Sequence, residues 1–180
     1  MNDLAQKLSR LKLIISDVDG VLTDGSIYKG ADGIEYKRFS VTDGTGVALA
    51  RAAGLDIAFI SGRFSAATEA RSRELKIIDL FNGTLNKMIP YESLKEKYSL
   101  EDGEIAYIGD DLIDIPVMEK VGIPISVPNA CQEAKNVSIY ITPSKGGDGA
   151  FRDAIDWILK SQGSYEDVLV GLRERVLQSE

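Results

Sequence analysis

The chain has 180 residues, of which 44% are apolar, and a formal net charge of −7, a combination typical of one globular domain with a sizeable core. The negative charge excludes a broad basic surface for nucleic acid, and no apolar run reaches the roughly 20 residues that cross a bilayer. Histidine is absent and Cys131 is the only cysteine, which excludes a Ser-His-Asp triad, a histidine-ligated zinc site and an intrachain disulfide. We therefore expect a cytoplasmic protein with no membrane or nucleic-acid partner, whose chemistry uses carboxylates, lysine, arginine, hydroxyls or a hard metal ion.

Strand and helix patterns alternate along the chain. Short apolar runs predict six strands: Leu11–Ser16, Asp56–Ile60, Ile78–Phe81, Glu104–Ile108, Ile123–Val127 and Ser138–Ile141. Longer segments predict five helices: Gly44–Ala53, Ala66–Leu75, Pro90–Tyr98, Leu112–Val121 and Ala150–Leu159. This order predicts an α/β fold, a three-layer Rossmann-like arrangement in which a parallel sheet carries helices on both faces.

Two segments lie outside this alternation. Residues 26–39 predict a β-hairpin with its turn near Asp32-Gly33, and no stretch is long enough for a separate cap domain. Because an isolated hairpin is marginally stable, we expect it to pack on its own domain or on a neighbouring subunit. Residues 164–180 form a C-terminal tail after a main domain of residues 1–163. If the tail is helical, it has an apolar face that either docks on this domain or reaches a neighbouring site; the face consists of Tyr165, Val168, Leu169, Leu172 and Val176.

Two carboxylates follow the first predicted strand, in the string Asp17-Val18-Asp19-Gly20-Val21-Leu22-Thr23-Asp24. Ligands of open α/β sheets bind beyond the carboxyl ends of the strands, and Gly20 permits a sharp turn there. A purely structural role in the core is disfavoured for these carboxylates, because burying an unpaired carboxylate costs free energy. We therefore predict that Asp17 and Asp19 reach one reacting centre.

Three further polar groups each follow a predicted strand. The first is a hydroxyl, a glycine and a guanidinium, which suit a phosphate or carboxylate oxygen, and the second is a lone lysine. The third is a set of three carboxylates, which repel one another unless a cation lies among them, and all-oxygen ligands suit Mg²⁺. The first group is Ser61, Gly62 and Arg63, the second is Lys87, and the third is Asp110, Asp111 and Asp114.

These residue types fit one reaction, the hydrolysis of a phosphate ester. With Mg²⁺ neutralising charge, a carboxylate can attack phosphorus while lysine and a hydroxyl hold the other phosphoryl oxygens. A second carboxylate then protonates the leaving alcohol and deprotonates the hydrolytic water. The alternative is a phospho-acceptor signalling domain, which uses similar groups but usually places adjacent acids after its first strand.

The four groups, in this order, resemble the four motifs of the haloacid dehalogenase superfamily. The resemblance implies Asp17 as the nucleophile and Asp19 as the general acid and base. It implies phosphate binding by Ser61, Gly62 and Lys87. It also implies a Mg²⁺ site formed by Asp17, the backbone carbonyl of Asp19, and Asp110, with Asp111 and Asp114 in supporting positions.

A narrower resemblance covers nearly the whole chain. The hairpin, Phe39-x-Val41-x-Asp43-Gly44 and Gly146-Gly147-x-Gly149-Ala150-x-Arg152 are similar to the capless phosphatases that act on 3-deoxy-D-manno-octulosonate 8-phosphate, an ester of lipopolysaccharide precursor synthesis. The resemblance implies release of the free sugar acid and phosphate, and a homotetramer in which hairpins help to close neighbouring sites. Relatives act on nine-carbon acid-sugar 9-phosphates, and one of them has glutamate in place of Arg63. We therefore assign Arg63 to substrate binding, and residues 146–149 either to a substrate loop or to a loop that leads into a helix.

Overall fold

A parallel sheet forms the centre of the computed structural model, which describes residues 3–178 without the side chain of Val176. The strands in the described residues are β1 (Leu13–Ser16), β2 (Tyr28–Lys29), β3 (Glu35–Tyr36), β4 (Asp56–Ser61), β5 (Asp79–Asn82), β6 (Ile105–Gly109), β7 (Ile123–Ser126) and β8 (Tyr140–Ile141). Six of them pair in the order β5-β4-β1-β6-β7-β8, and all of these pairs are parallel. The predicted α/β fold is confirmed, and residues 3–178 contain no cap domain.

The helices alternate with the strands of the main sheet. They are α1 (Asp3–Ser9), α2 (Val41–Ala52), α3 (Ala66–Glu74), α4 (Met88–Tyr98), α5 (Ile115–Met118), α6 (Gln132–Val137), α7 (Ala150–Gln162) and α8 (Tyr165–Gln178). Helices α1, α2 and α8 all contact α7, whereas α5 contacts α4 and α6. None of the described helices combines the length and the apolar character that a membrane crossing requires.

Strand β1 lies at the middle of the sheet because its sequence is apolar without interruption. Leu13, Ile14 and Ile15 are fully buried, as expected for a parallel strand that is covered on both faces. Its last residue, Ser16, is level with Phe59 of β4 and Ile108 of β6. The residues that follow these three strands are therefore brought to the same edge of the sheet.

Most predicted elements are present with bounds shifted by a few residues, but the helix predicted over Leu112–Val121 is much shorter. The backbone amides of Asp110 and Asp111 both donate to the carboxylate of Asp114, which holds the chain in a loop ahead of α5. Helices α1 and α6 were not predicted, because seven and six residues are too few to show a helical period.

The predicted hairpin is present and packs on its own domain. Strands β2 and β3 pair antiparallel, and the turn contains Gly33 at a φ of +81°, a value that favours glycine. An isolated bridge between Thr23 and Phe39 closes its base. Large apolar side chains of the hairpin remain exposed: Ile27, Ile34 and Tyr36. Contact of the hairpin with a neighbouring subunit stays a prediction.

The tail predicted to be helical is helix α8. The apolar face predicted for it packs on the core of its own chain, through Tyr165, Val168, Leu169 and Leu172. Val176, the fifth member, lies outside the described side chains. The structure thus favours docking on the chain's own domain over an extension to a neighbouring site. The division into a domain of residues 1–163 and a tail of residues 164–180 stays a prediction.

Candidate active site

Three carboxylates meet at the carboxyl edge of the sheet. Asp17 follows β1, and its backbone amide donates to the carbonyl of Ile108 at 2.9 Å, which ties the start of the first motif to β6. One carboxylate oxygen from each of Asp17, Asp110 and Asp114 lies within 4.8 Å of the other two. Gly20 turns the chain beside them at a φ of +92°, and a Cβ there would overlap the carboxylate of Asp110. Glycine is therefore needed for the close approach of the two loops.

The carboxylates of Asp17 and Asp110 are electrostatically strained. Burial raises the pKa of both groups well above the usual range of an aspartate, and neighbouring carboxylates raise it further. The Lys87 ammonium acts in the opposite direction on both pKa values. A hard divalent cation among these oxygens would relieve the repulsion, so the residues present fit such an ion.

Lys87 lies between two of the acids. It immediately precedes α4, its side chain is fully buried, and Nζ is 2.5 Å from Oδ1 of Asp17 and 2.5 Å from Oδ1 of Asp114. Burial alone would lower the pKa of Lys87, but the two carboxylates raise it overall. The lysine is therefore a charged donor at the end of β1, where it can also reach a bound anion.

Asp114 orients this lysine and the loop around it. Its Oδ1 also accepts a hydrogen bond from the Tyr107 hydroxyl at 2.6 Å, and its Oδ2 accepts from the amides of Asp110 and Asp111 at 3.0 and 3.1 Å. The carboxylate of Asp111 points elsewhere and accepts from the amide of Leu112. Asp111 is thus the one acid of this motif that stays outside the cluster. Tyr107 was not predicted as a site residue, and its only sequence signal is a hydroxyl in an otherwise apolar strand.

The second motif lies at the end of β4. Ser61 is buried, its carbonyl accepts from the amides of Gly83 and Thr84, and its hydroxyl donates to the carbonyl of Arg63 at 2.8 Å. The backbone of Gly62 lies so close to Ile113 that a Cβ would overlap that side chain. The structure therefore turns the Ser61 hydroxyl toward the backbone of its own loop and requires a bare backbone at Gly62.

An open pocket of about 210 Å³ lies over these residues. Its polar wall consists of Asp17, Asp19, Arg63, Asp110 and Asp111. Its apolar wall includes Ile27 of the hairpin, Leu85 and Ile113. A small anion with an attached carbon chain matches such a mixed lining.

Two charged residues of the hairpin pair with residues that line this pocket, and the sequence pattern indicated neither of them. Lys37 Nζ is 2.5 Å from Oδ1 of Asp19, and Glu35 forms an ion pair with Arg63. Neither residue belongs to a motif, and only their alternate positions in a strand gave a signal. Asp19 and Arg63, which line the pocket, are therefore each held by a residue of the hairpin.

The glycine-rich segment of residues 146–149 packs against the loop of the first motif. The Asn129 side chain donates to the carbonyl of Gly20 and accepts from the amide of Gly146, both at 2.8 Å, and the Gly147 amide donates to Val21. A Cβ on Gly146 would overlap the carbonyl of Gly20. Residues 146–149 thus pack against the loop that carries Asp19 and also lead into α7, which favours a supporting role.

The fold and this arrangement define a class of hydrolases. A family model described as haloacid dehalogenase-like hydrolase matches residues 56–152, and the chain belongs to this family. The predicted resemblance to the superfamily is confirmed.

Individual relatives match nearly the whole chain. It is 41% identical over 165 residues to 3-deoxy-D-manno-octulosonate 8-phosphate phosphatase KdsC of Escherichia coli (strain K12), which covers 92% of this chain and 88% of that protein. The same phosphatase from Moraxella catarrhalis, solved with magnesium, phosphate and KDO, is 39% identical, covering 94% of this chain and 98% of that one, with a TM-score of 0.89. A cobalt-bound form from Haemophilus influenzae is 38% identical over 89% and 94% of the two chains, with a TM-score of 0.85. The narrower resemblance is thereby confirmed as well.

Proposed function

We propose that this chain is a Mg²⁺-dependent phosphatase that hydrolyses 3-deoxy-D-manno-octulosonate 8-phosphate to the sugar acid and phosphate, a step of lipopolysaccharide precursor synthesis. The observation that carries the proposal is the cluster of Asp17, Lys87, Asp110 and Asp114 at the end of β1. It occurs in a chain that is 41% identical to KdsC over 92% of its length. The enzyme is thus a phosphoric monoester hydrolase.

The reaction proceeds through a covalent aspartyl-phosphate. A carboxylate oxygen of Asp17 attacks phosphorus, and the bond from phosphorus to the ester oxygen breaks. Asp19 gives a proton to that oxygen, then takes one from the water that attacks the aspartyl-phosphate. Lys87, the Ser61 hydroxyl and the backbone at Gly62 bind the remaining phosphoryl oxygens.

The metal ligands follow from the same cluster. Asp17, the backbone carbonyl of Asp19 and Asp110 would hold Mg²⁺, while Asp111 and Asp114 support the loop. When bound, the ion neutralises the charges of the phosphate and of the attacking carboxylate, which otherwise repel each other. The buried, mutually repelling carboxylates of Asp17 and Asp110 support this assignment.

Arg63 is proposed to bind the carboxylate of the sugar acid, a planar acceptor for its guanidinium. In the structure this guanidinium is paired with Glu35, which the substrate carboxylate would replace. Arg63→Ala should therefore reduce kcat/KM for the octulosonate ester more than for p-nitrophenyl phosphate, which has no carboxylate. Equal losses on both esters would assign Arg63 to phosphate binding or folding. The alternative substrates, nine-carbon acid-sugar 9-phosphates, carry the same carboxylate and belong in the same assay.

Phosphate release from these sugar phosphates tests the function directly. The wild type should turn over many times with Mg²⁺, stop with EDTA, and recover when Mg²⁺ is restored. Asp17→Asn should abolish release, because an amide is a poor nucleophile. Asp56→Asn, an exposed control at the opposite edge of the sheet, should keep full activity. One phosphate per chain without turnover would instead indicate a phospho-acceptor domain, and unchanged activity after exhaustive metal removal would contradict the Mg²⁺ assignment.

We also propose that the chain forms a homotetramer through its hairpins. The support is the exposure of Ile27, Ile34 and Tyr36, which are 59%, 52% and 57% exposed in one short segment. Light scattering should give four chains for the wild type and fewer for Ile34→Asp. A stable monomer at concentrations where the wild type is active would refute the assembly. The cytoplasmic location stays a prediction from the single cysteine.

A further inference from the structure

Lys37 is a buried lysine that no motif assigns. It lies just after β3, at the end of the hairpin, and its side chain is only 1% exposed. Its Nζ is 2.5 Å from Oδ1 of Asp19, a residue that is 18 positions away in the chain. Burying a flexible lysine costs hydration and rotamer freedom, so its contact with one carboxylate at the pocket wall needs a reason.

The two oxygens of Asp19 have different surroundings. Oδ1 accepts from Lys37, whereas Oδ2 has no hydrogen-bond partner among the described residues, and Asp19 lines the pocket. An ionised carboxylate accepts at both oxygens, and a protonated one still accepts at its carbonyl oxygen. Lys37 therefore fixes the orientation of the carboxylate through Oδ1, which leaves Oδ2 for the substrate.

We propose that Lys37 is a positioning residue that orients Asp19 for proton transfer through Oδ2. The inference rests on the proposed phosphatase function. As the phosphoryl group moves to Asp17, the electron pair of the breaking bond stays on the leaving oxygen, and the proton on Oδ2 passes to it. In the second step a water oxygen attacks phosphorus and one proton of the water passes to Oδ2, while the bond from phosphorus to the Asp17 oxygen breaks and releases phosphate and the free carboxylate.

The hairpin contacts two residues of the pocket wall at once. Glu35 and Lys37 are two residues apart at the end of β3, so their side chains leave the strand on the same side. One pairs with Arg63 and the other with Asp19. The hairpin, which lines the pocket through Ile27, therefore also holds the acid in place.

Leaving groups of different basicity test this role. Phenyl phosphate and p-nitrophenyl phosphate have similar sizes, but only the first has a leaving oxygen basic enough to depend strongly on a proton from the enzyme. The parameter measured is kcat/KM, because it reports steps up to transfer of the phosphoryl group and excludes the common hydrolysis step. Lys37→Met should reduce kcat/KM for phenyl phosphate and the octulosonate ester by about 10–100-fold, and for p-nitrophenyl phosphate by less than about 3-fold.

Controls separate positioning from folding. Lys29→Met removes an exposed lysine from the same hairpin and should change neither rate, and Lys37→Arg should restore most of the lost activity on phenyl phosphate. In an Asp19→Asn background, Lys37→Met should cost less than about 2-fold, because the group it orients is gone. Equal losses on both aryl esters, or an undiminished loss in the Asp19→Asn background, would overturn the inference. A wild type that released phosphate from no ester would instead overturn the phosphatase proposal and this inference with it.

Discussion

Replacing Lys87 by methionine should destabilise the protein far more than the loss of an ordinary surface ion pair. The Lys87 side chain is fully buried, and it holds the carboxylates of Asp17 and Asp114 at 2.5 Å each. Methionine fills the same space without the charge, so the variant would keep these acids buried without their cation. Removing one partner of a buried ion pair costs about 3–5 kcal/mol in the free energy of unfolding.

The expected shift in melting temperature follows from the size of the chain. One kcal/mol corresponds to about 2–4 °C in a domain of this size, so the loss predicts a decrease of about 6–20 °C in EDTA. The loss should also grow with pH. Burial has already raised the pKa of Asp17, Lys87 opposes that rise, and removing Lys87 raises this pKa further. A group with a raised pKa in the folded state loses its contribution to stability as the pH rises through that pKa.

Urea unfolding of the wild type and of Lys87→Met at pH 5 and pH 8, with and without Mg²⁺, measures both effects. Mg²⁺ should recover part of the loss, because it restores a positive charge among the acids. Lys12→Met is the matched control, since Lys12 pairs with Glu104 at 2.8 Å but its side chain is 60% exposed. That exposed pair should contribute less than about 1 kcal/mol. A loss of this smaller size for Lys87→Met, independent of pH, would refute the reasoning.

Three further substitutions test the surroundings of the site. The Cβ that Gly146→Ala adds would overlap the carbonyl of Gly20 and displace the first motif. This substitution should lower the unfolding free energy by about 1–3 kcal/mol and reduce phosphate release by about 100-fold. Tyr107→Phe should cost about 1.5–3 kcal/mol in urea unfolding, because Asp114 loses a buried donor. Burial raises the pKa of Asp43 from 3.8 to about 6, so relative to Asp43→Asn the wild type should lose about 3 kcal/mol of stability as the pH rises from about 4 to 6.

Two of these substitutions have a control in the same chain. Gly103→Ala introduces a Cβ into open space and should leave stability and activity unchanged. Tyr28→Phe removes a hydroxyl from an exposed hydrogen bond with Asp24 and should cost less than about 0.5 kcal/mol. For Asp43, parallel stability curves of the wild type and the asparagine variant between pH 4 and 6 would show that its carboxylate does not titrate there. Losses at Gly146 and Tyr107 no larger than those of their controls would contradict the proposed supports.

The catalytic edge of the sheet was predictable because parallel strands bring the residues that follow them to the same edge. Once β1, β4 and β6 are parallel, Asp17, Ser61 and Asp110 must come to one edge, whatever the details of the helices between them. Lys87 was predictable only through the resemblance, since a lone lysine has no pattern of its own. The structure shows where it lies, between Asp17 and Asp114.

The supporting residues could not be predicted, for a different reason. Tyr107 lies in a strand buried on both faces, where the residue pattern does not reveal which side chain finds a polar partner. Lys37 and Glu35 depend on the direction in which the hairpin folds, and a period of two residues leaves that direction undetermined. Asn129 joins two loops that are distant in sequence, so nothing near it in the chain indicates its role.

The construction of the hairpin allows substrate contacts to change in evolution separately from the catalytic groups. Each of its strands is two residues long, and the apolar side chains of Ile27, Ile34 and Tyr36 stay exposed outside the core. Mutations in residues 26–34 therefore leave the folding energy of β1 and the groups proposed to break the ester bond nearly untouched. A lineage can vary this segment to accept a different ester while retaining its chemistry. The same independence makes it the natural region to randomise when a new substrate is sought by laboratory selection.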